Sequence, residues 1–446
     1  MNYEEAIAYI KETAAFGTNL GLDNIRSLMS LLDNPQEKLK FIHIAGTNGK
    51  GSVAAYILSV LEQAGLRTGF YTSPELYRFS ERIRINEEEI SKDDIAKYVN
   101  KVHSAAEYMT AHNMGSPSEF ELVLAMAFCY FLDKKVDIVV LEVGLGGRLD
   151  ATNVIRSSIL SVITKISFDH MQYLGNTLSE IASEKAAIIK EHGTVIVYPS
   201  DEEITEIYRK ICRKKKARFY EAALPSSRSM MTGEKGSFCS GQEFTLYGKN
   251  YITGMIGAYE TENAALAIQA MWLIKNSPEM KDYIITDENI YEGIRDAFWP
   301  GRFEIMSDDP LIILDGAHNE DGAKALASSI KEYLMGRRIV LCIGILKDKQ
   351  YDKMLAELLP FAETVIACKV PNPRSLKADD LSDMIRRGEP GIRIETAENP
   401  EQALAEIKKL QSDTAAIIIC GSLYLVGPMR ELIIKDKLKI RTKSSS

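Results

Sequence analysis

Lys50 sits in a stretch whose residue types could hold a phosphate. The apolar run Phe41-Ile42-His43-Ile44 leads into Ala45-Gly46-Thr47-Asn48-Gly49-Lys50-Gly51-Ser52, and a helical pattern follows from Val53 to Gln63. A turn of this kind leaves backbone N–H groups at a helix N-terminus, where the dipole favours an anion. Gly46, Gly49 and Gly51 let the backbone approach a phosphate with no Cβ in the way. Lys50 would bring charge to the outer phosphates, and Ser52 a hydroxyl to Mg2+. The spacing departs from G-x-x-x-x-G-K-[ST], because Ile44 takes the place of the first glycine and Gly51 separates Lys50 from Ser52. A plain strand-to-helix turn with a solvated lysine stays open on this loop alone.

Other candidates stand where apolar runs end. Glu142 closes Val136–Leu141 and enters Val143-Gly144-Leu145-Gly146-Gly147-Arg148-Leu149-Asp150. A carboxylate beyond the carboxyl end of a strand suits Mg2+, which prefers oxygen ligands. An incidental acid in a glycine-rich loop is the alternative. Asp169-His170 follows the run Ile159–Ile163 in the same way, with a structural histidine as the alternative. Lys185 precedes Ala186-Ala187-Ile188-Ile189, so it is either a solvated cation or a partly buried, chemically special lysine. Leu311–Leu314 runs into Asp315-Gly316-Ala317-His318-Asn319, where helix capping would also explain the polar residues. Arg302, after Pro300-Gly301, could reach a phosphate or join two domains by a salt bridge.

The elements that must position these residues alternate between strand and helix. Helical periodicity covers 2–14, 23–33, 91–110, 119–133, 178–189 and 258–274, and short strands are expected at 68–71, 136–141 and 159–163. Arg82-Ile83-Arg84-Ile85 alternates like an exposed strand. Residues 193–255 read as less regular, with the Gly/Ser-rich stretch 225–241 as a loop. After Trp299-Pro300-Gly301-Arg302 the composition changes. Strands at 311–314, 338–344, 363–368 and 415–420 then alternate with helices at 320–335, 350–358, 377–387, 399–409 and 422–435, implying a second parallel α/β sheet. The expected fold is α/β in two parts, residues 1–298 and 299–436, with a frayed tail at 437–446.

Bulk properties agree. A chain of 446 residues suggests about two or three domains. The 46% hydrophobic and 26% charged content is that of a soluble globular protein, and no run reaches the length of a membrane span. The net charge of −8 speaks against a general nucleic-acid or anionic-membrane surface. Six scattered cysteines show no paired spacing, and Cys129, Cys342, Cys368 and Cys420 lie in apolar runs, which points to buried thiols in a reducing cytoplasm.

Longer strings carry a resemblance. AGTNGKGS (45–52), TSPEL (72–76), SERI (80–83), LEVGLGGRLDATNVI (141–155), GNTLSEIASEKAAIIK (175–190), ENAALAI (262–268), WPGRFE (299–304), LDGAHNEDG (314–322), GILKDK (344–349) and GSLYLVG (421–427) run in order along nearly the whole chain. Together they resemble the folylpolyglutamate synthase/dihydrofolate synthase family, within the wider Mur-ligase-like ATP-dependent amide ligases. The resemblance implies a P-loop-type ATPase domain and a smaller C-terminal Rossmann-like domain, with substrates and ATP in the cleft between them. Lys50, Glu142, His170 and Lys185 would then be catalytic. Ser52, Ser73, Glu142, His170 and Lys185 would hold two Mg2+ ions, Lys185 as a carbamate, with a monovalent cation as a further candidate. Gly46 to Ser52, with Asn263, Arg302, Asp315 and His318, would contact ATP. Leu20, Gly21 and Leu22, with Ser118, Glu119 and Phe120 and with Leu149, Asp150 and Ala151, would approach the pterin-bearing substrate.

The implied reaction passes the γ-phosphoryl group of ATP to a carboxylate of folate, and the amine of L-glutamate then displaces phosphate from the acyl phosphate. The same cleft could also accept dihydropteroate, making the chain bifunctional. A monofunctional dihydrofolate synthase is an alternative within the family, and a nucleotide-binding regulatory module without ligase activity is one from another class. A muramyl ligase is set aside because Gly46 comes too early for the additional N-terminal domain of those enzymes. The expected protein is a cytoplasmic monomer that binds neither nucleic acid nor membrane. Glu75, Glu260 and Ser167-Phe168 depart from the family pattern of histidine, amide and Gly-Leu, which bears on substrate preference.

Overall fold

The computed structural model describes residues 1–13, 21–233, 238–410 and 415–436. Leu20 and the tail 437–446 lie outside the described residues. The chain forms two compact units, one of Met1–Leu224 with Asn263–Ala297, the other of Pro225–Glu262 with the chain from Phe298 onward.

The first unit is built on an eight-stranded sheet. Its strands are β1 (Phe41–Ala45), β2 (Thr68–Tyr71), β3 (Ile83–Ile85), β4 (Glu88–Glu89), β5 (Ile138–Glu142), β6 (Leu160–Ile163), β7 (Thr194–Val197) and β8 (Arg218–Glu221). The order is β4-β3-β2-β5-β1-β6-β7-β8, parallel from β2 to β8 and antiparallel at the β3–β4 edge. Both β1 and β5 are buried along their whole length, as apolar strands covered by helices on two faces must be. Their register sets Ile44 beside Glu142, and Ala45 beside Ile163 of β6. The carboxyl ends of the central strands therefore lie side by side, where open α/β sheets bind ligands. The helix Lys50–Gln63 is almost entirely buried. Gly293, on the helix Asp287–Asp296, permits a close crossing against it, since a Cβ there would stand 2.5 Å from Val60 Cα.

Two expectations are corrected in this unit. The segment Arg82–Ile85 is not exposed: Ile83 and Ile85 join the main core, and Arg82 is 5% accessible. Its alternation reflects burial on both sides, with Arg84 lying over the Phe70 ring at 4.5 Å. The expected irregularity from residue 193 is also corrected, since the chain carries β7, the helix Glu202–Lys215 and β8 before it leaves the unit.

The second unit holds a three-stranded antiparallel sheet, β9 (Ser227–Thr232), β10 (Cys239–Leu246) and β11 (Lys249–Thr253), in the order β11-β10-β9. Of the loop expected over 225–241, residues 234–237 lie outside the described residues, while 227–232 and 239–241 are strand, hidden from a sequence reading by serines on an exposed edge. Beside it stands a six-stranded sheet of β12 (Glu304–Asp308), β13 (Leu311–Leu314), β14 (Arg338–Ile343), β15 (Thr364–Cys368), β16 (Arg393–Ala397) and β17 (Ala415–Cys420). Its order is β12-β13-β17-β14-β15-β16, parallel except for β12. Cys239 and Ile256 share the core of Phe303, Ile313 and Ile418, and the Tyr333 hydroxyl donates to Gln242 Oε1 at 2.6 Å. Those contacts hold 225–262 in this compact unit.

Among the described residues no helix is long and apolar enough to cross a membrane.

Candidate active site

The glycines of the loop after β1 do what their backbone requires. A Cβ on Gly46 would meet Thr164 Oγ1 at 1.7 Å, so the turn presses against the end of β6. Gly49 caps the helix Lys50–Gln63 at φ +86°, and a Cβ there would stand 2.5 Å from Asn263 Oδ1. Asn263, 214 positions away in sequence, is thereby brought against the loop. The loop is pinned to the segment after β6 by Thr47 N–H donating to Lys165 O at 2.9 Å, and by Thr164 Oγ1 donating to Asn48 O at 2.8 Å. The helix N-terminus and the Lys50 side chain are the parts of this loop suited to an anion, and Lys50 Nζ donates to Thr47 O at 3.3 Å. Gly49→Ala would add a side chain in a left-handed conformation that costs about 1–2 kcal/mol, besides the collision with Asn263. It should weaken ATP binding by about tenfold or more, read by titration calorimetry; parent affinity would show that the loop does not grip nucleotide.

Glu142 ends β5 next to this loop and is buried. The Thr72 hydroxyl, just past the neighbouring β2, donates to its Oε2. Ser52 is buried at the head of the helix, and Ser73 follows Thr72. This donor set of one buried carboxylate and hydroxyls is hard oxygen, which fits Mg2+ and would leave coordination places for water and phosphate. Among the described residues no three His, Cys, Asp or Glu side chains converge on one point. The expected set contains only Glu142 and His170 of those types, the rest being hydroxyls and a modified lysine. His170 stands at the start of a short helix, 43% exposed, with Nε2 3.8 Å from Asp169 Oδ1.

Lys185 is buried, only 4% accessible, and its Nζ donates to Gly46 O at 2.8 Å. Burial, reinforced by the Lys50 charge, pulls its pKa down to about 7 against the opposing pull of Asp169 and Asp150. The loop after β5 wraps onto the helix Leu178–Ala186 that carries Lys185: a Cβ on Gly147 would lie 2.7 Å from Glu184 O, and Arg148 N–H donates to Glu184 O at 2.9 Å. Phosphate loop, acidic strand end and buried lysine thus meet in one unit.

Of the candidate substrate residues, Phe120 lies against Gly144 and meets Tyr71 edge-on at 5.9 Å between ring centroids. Glu119 pairs at 2.8 Å with the buried Arg82, which also has Glu75 at 3.8 Å. Ser118 instead spends its hydroxyl in the capping box with Glu121. Leu149 is partly exposed and Ala151 buried, while Gly21 and Leu22 are partly exposed ahead of the helix Asp23–Leu31. The Asp150 carboxylate accepts from Leu145 N at 2.7 Å and Thr152 N at 2.9 Å, so it braces its own loop.

In the second unit Asp315 is the hub. Its Oδ2 accepts from the Tyr259 hydroxyl at 2.6 Å and from Phe303 N at 3.0 Å, and its Oδ1 from Ala317 N at 2.8 Å. Burial pushes its pKa up, opposed by the Tyr259 hydrogen bond and the Arg302 charge. Gly316 is where the Arg302 guanidinium passes, since a Cβ there would lie 2.0 Å from Nη1. His318 Nδ1 lies 2.8 Å from Gly316 O, so Arg302, Asp315 and His318 are neighbours. Glu304 accepts from Gly301 N at 2.8 Å and pairs with Arg430 at 2.9 Å, which holds the turn before Arg302. Tyr259, Thr72 and Arg82 were not singled out by sequence reasoning. Thr72 and Arg82 lie inside the TSPEL and SERI strings, the one signal that pointed at them.

Residues 44–271 match the Mur ligase middle domain, and residues 301–423 the Mur ligase glutamate ligase domain. The dihydrofolate synthase/folylpolyglutamate synthase of Bacillus subtilis is 36% identical, the alignment covering 96% of this chain and 98% of that one. The folylpolyglutamate synthase of Lacticaseibacillus casei is 34% identical over 98% and 100%. The solved structure of Mycobacterium tuberculosis folylpolyglutamate synthase complexed with ADP superposes with a TM-score of 0.86 at 29% identity, covering 97% of this chain and 99% of that one. With the phosphate loop, Glu142 and Lys185 gathered at the strand ends and the glutamate ligase domain matched beyond residue 300, this chain belongs to the folylpolyglutamate synthase/dihydrofolate synthase family of Mur-type ligases.

Proposed function

We propose that the chain joins L-glutamate to the γ-carboxylate of a tetrahydrofolate, driven by ATP, and that it also converts dihydropteroate and L-glutamate to dihydrofolate. The observation that carries this reading is the buried Lys185 bonded to the phosphate-loop carbonyl of Gly46, one strand from Glu142. A lone nucleotide switch would need the loop but neither of those groups.

The carboxylate oxygen attacks the γ-phosphorus of ATP and ADP leaves. The glutamate amine then attacks the acyl carbon and phosphate leaves, with the amine proton passing to solvent or base. Both partners of the first step are anions, so cations must surround them. Lys50 serves at the loop, and Arg302, Asp315 and His318 are assigned to the nucleotide in the same reading. Ser52, Ser73 and Glu142 would hold one Mg2+, and His170 with carbamylated Lys185 a second. When bound, the metal supplies charge neutralisation at the phosphates. Gly46 to Ser52 and Asn263 orient the nucleotide, while Gly21, Leu22, Glu119, Phe120 and Leu149 to Ala151 are assigned to the pterin acid. All six cysteines are free and buried, which supports a cytoplasmic protein, and a monomer completes the proposal.

The test is ATP hydrolysis by the purified protein with tetrahydrofolate or dihydropteroate, each with and without L-glutamate. Turnover is expected only when a pterin acid and glutamate are both present. ATP hydrolysis indifferent to both would overturn the ligase reading, and turnover with only one acid would fix which activity the chain has.

A further inference from the structure

His43 lies in the middle of β1, fully buried between Leu141 of β5 and Ser161 of β6. An apolar residue would suit that place better. The imidazole Nε2 is 2.9 Å from Thr152 Oγ1, and its Nδ1 is buried with no hydrogen-bond partner. The Thr152 hydroxyl in turn bonds Asp150 Oδ1, which also takes the Thr152 N–H. Both Asp150 oxygens already accept backbone N–H groups, so the hydroxyl proton points at Asp150, and Thr152 Oγ1 can receive only a proton carried by His43 Nε2. This fixes the neutral Nε2–H tautomer. Burial and the neighbouring Lys190 charge act in the same direction, against a protonated ring.

The chain of bonds runs on. Asp150 Oδ2 holds Leu145 N–H at 2.7 Å and so closes the loop whose Gly144 touches Phe120 and whose Gly147 touches Lys185. Lys190 secures the other side, donating to Asn153 Oδ1 at 2.7 Å and Ile155 O at 2.6 Å. We infer that His43 is a positioning residue: through Thr152 and Asp150 it locks the substrate-facing loop in register with the strand that carries the phosphate loop. The inference rests on the proposed assignment of Phe120 and Leu149 to Ala151 to the pterin acid.

The test compares His43→Leu, which removes the donor, with His43→Gln, whose amide N–H reaches to about the place of Nε2. His43→Leu is expected to raise KM for the pterin acid about tenfold while KM for ATP stays within about twofold. His43→Gln should restore most of the loss. Thr152→Val should match His43→Leu, and the double variant should be no worse than either single one, because both cut the same chain. Equal rises in the two KM values, additive losses, or no benefit from glutamine would overturn the inference. Nitrogen-15 NMR of the parent protein reads the chain without turnover: His43 must show a bare Nδ1 and a protonated Nε2 from pH 6 to pH 8. A protonated Nδ1 overturns the inference even if no variant folds. A parent that ligates glutamate to no pterin acid, yet shows the Nε2–H tautomer, would sink the functional reading and confine His43 to a structural role.

Discussion

Lys185→Ala should lose glutamate ligation by roughly 10³-fold and recover part of it when acetate or formate is added. The amine is buried beside Lys50, and with a pKa of about 7 a substantial fraction is neutral near neutral pH. A neutral amine adds to CO2 to give a carbamate and one proton, which leaves to solvent. The carbamate keeps one N–H for Gly46 O, and its carboxylate would face the Lys50 cation. Lys190 has a similarly depressed pKa of about 7, but its Nζ is committed to two oxygen acceptors that a carboxylate would repel. Position, more than basicity, therefore singles out Lys185. Because the ammonium form cannot react, carbamate formation at a fixed CO2 level, and with it activity, should rise as pH rises through about 7, and more added CO2 should be needed below it. Lys185→Arg should stay inactive, since it keeps a cation that cannot form the carbamate. An Arg variant as active as the parent would make Lys185 an ordinary cation.

Glu142→Ala should cost about as much, roughly 10³-fold in kcat/KM, with the protein still folded. The carboxylate sits at the meeting of β1, β2 and β5, where on the proposed reading several phosphate charges would need a counter-ion held in place. Glu142→Gln separates charge from shape, because an amide oxygen can still accept from Thr72 while carrying no charge. It should bind Mg2+ and nucleotide together far more weakly than the parent, by calorimetry, and be nearly as inactive as the alanine variant. Near-parent turnover by either variant at saturating Mg2+ would remove Glu142 from the metal site.

Where a candidate site residue announces itself by local chemistry, it was legible. Glycines at a turn, a lysine beside them and an acid ending an apolar run need no knowledge of distant residues, so Gly46 to Ser52 and Glu142 could be read directly. Lys185 was ambiguous because the helix 178–186 says nothing of the carbonyl its amine reaches. The Tyr259–Asp315 bond spans 56 positions, and the His43–Thr152 bond 109, so no spacing rule reveals either. Arg82 misled because alternation is the same whether the polar side meets water or meets Glu119 and Glu75. The sheet β9–β11 was missed because its composition resembles a loop, and its place in the second unit depends on contacts with chain that comes later.

The interleaving of the two units has a consequence for how the protein is made. A ribosome delivers residues 1–224 first, but the first unit still lacks Asn263 and the helix Asp287–Asp296 that backs the helix Lys50–Gln63. At about 5–20 residues per second the wait for residue 297 lasts roughly 4–15 s. During that interval the flank of the phosphate-loop helix has no cover. Residues 225–262 emerge before the core they will join, so they too must wait, for the strands beyond residue 303. A nascent chain of this design is a natural client for chaperones that shelter apolar surface, and faster elongation over 225–297 should shorten its time at risk.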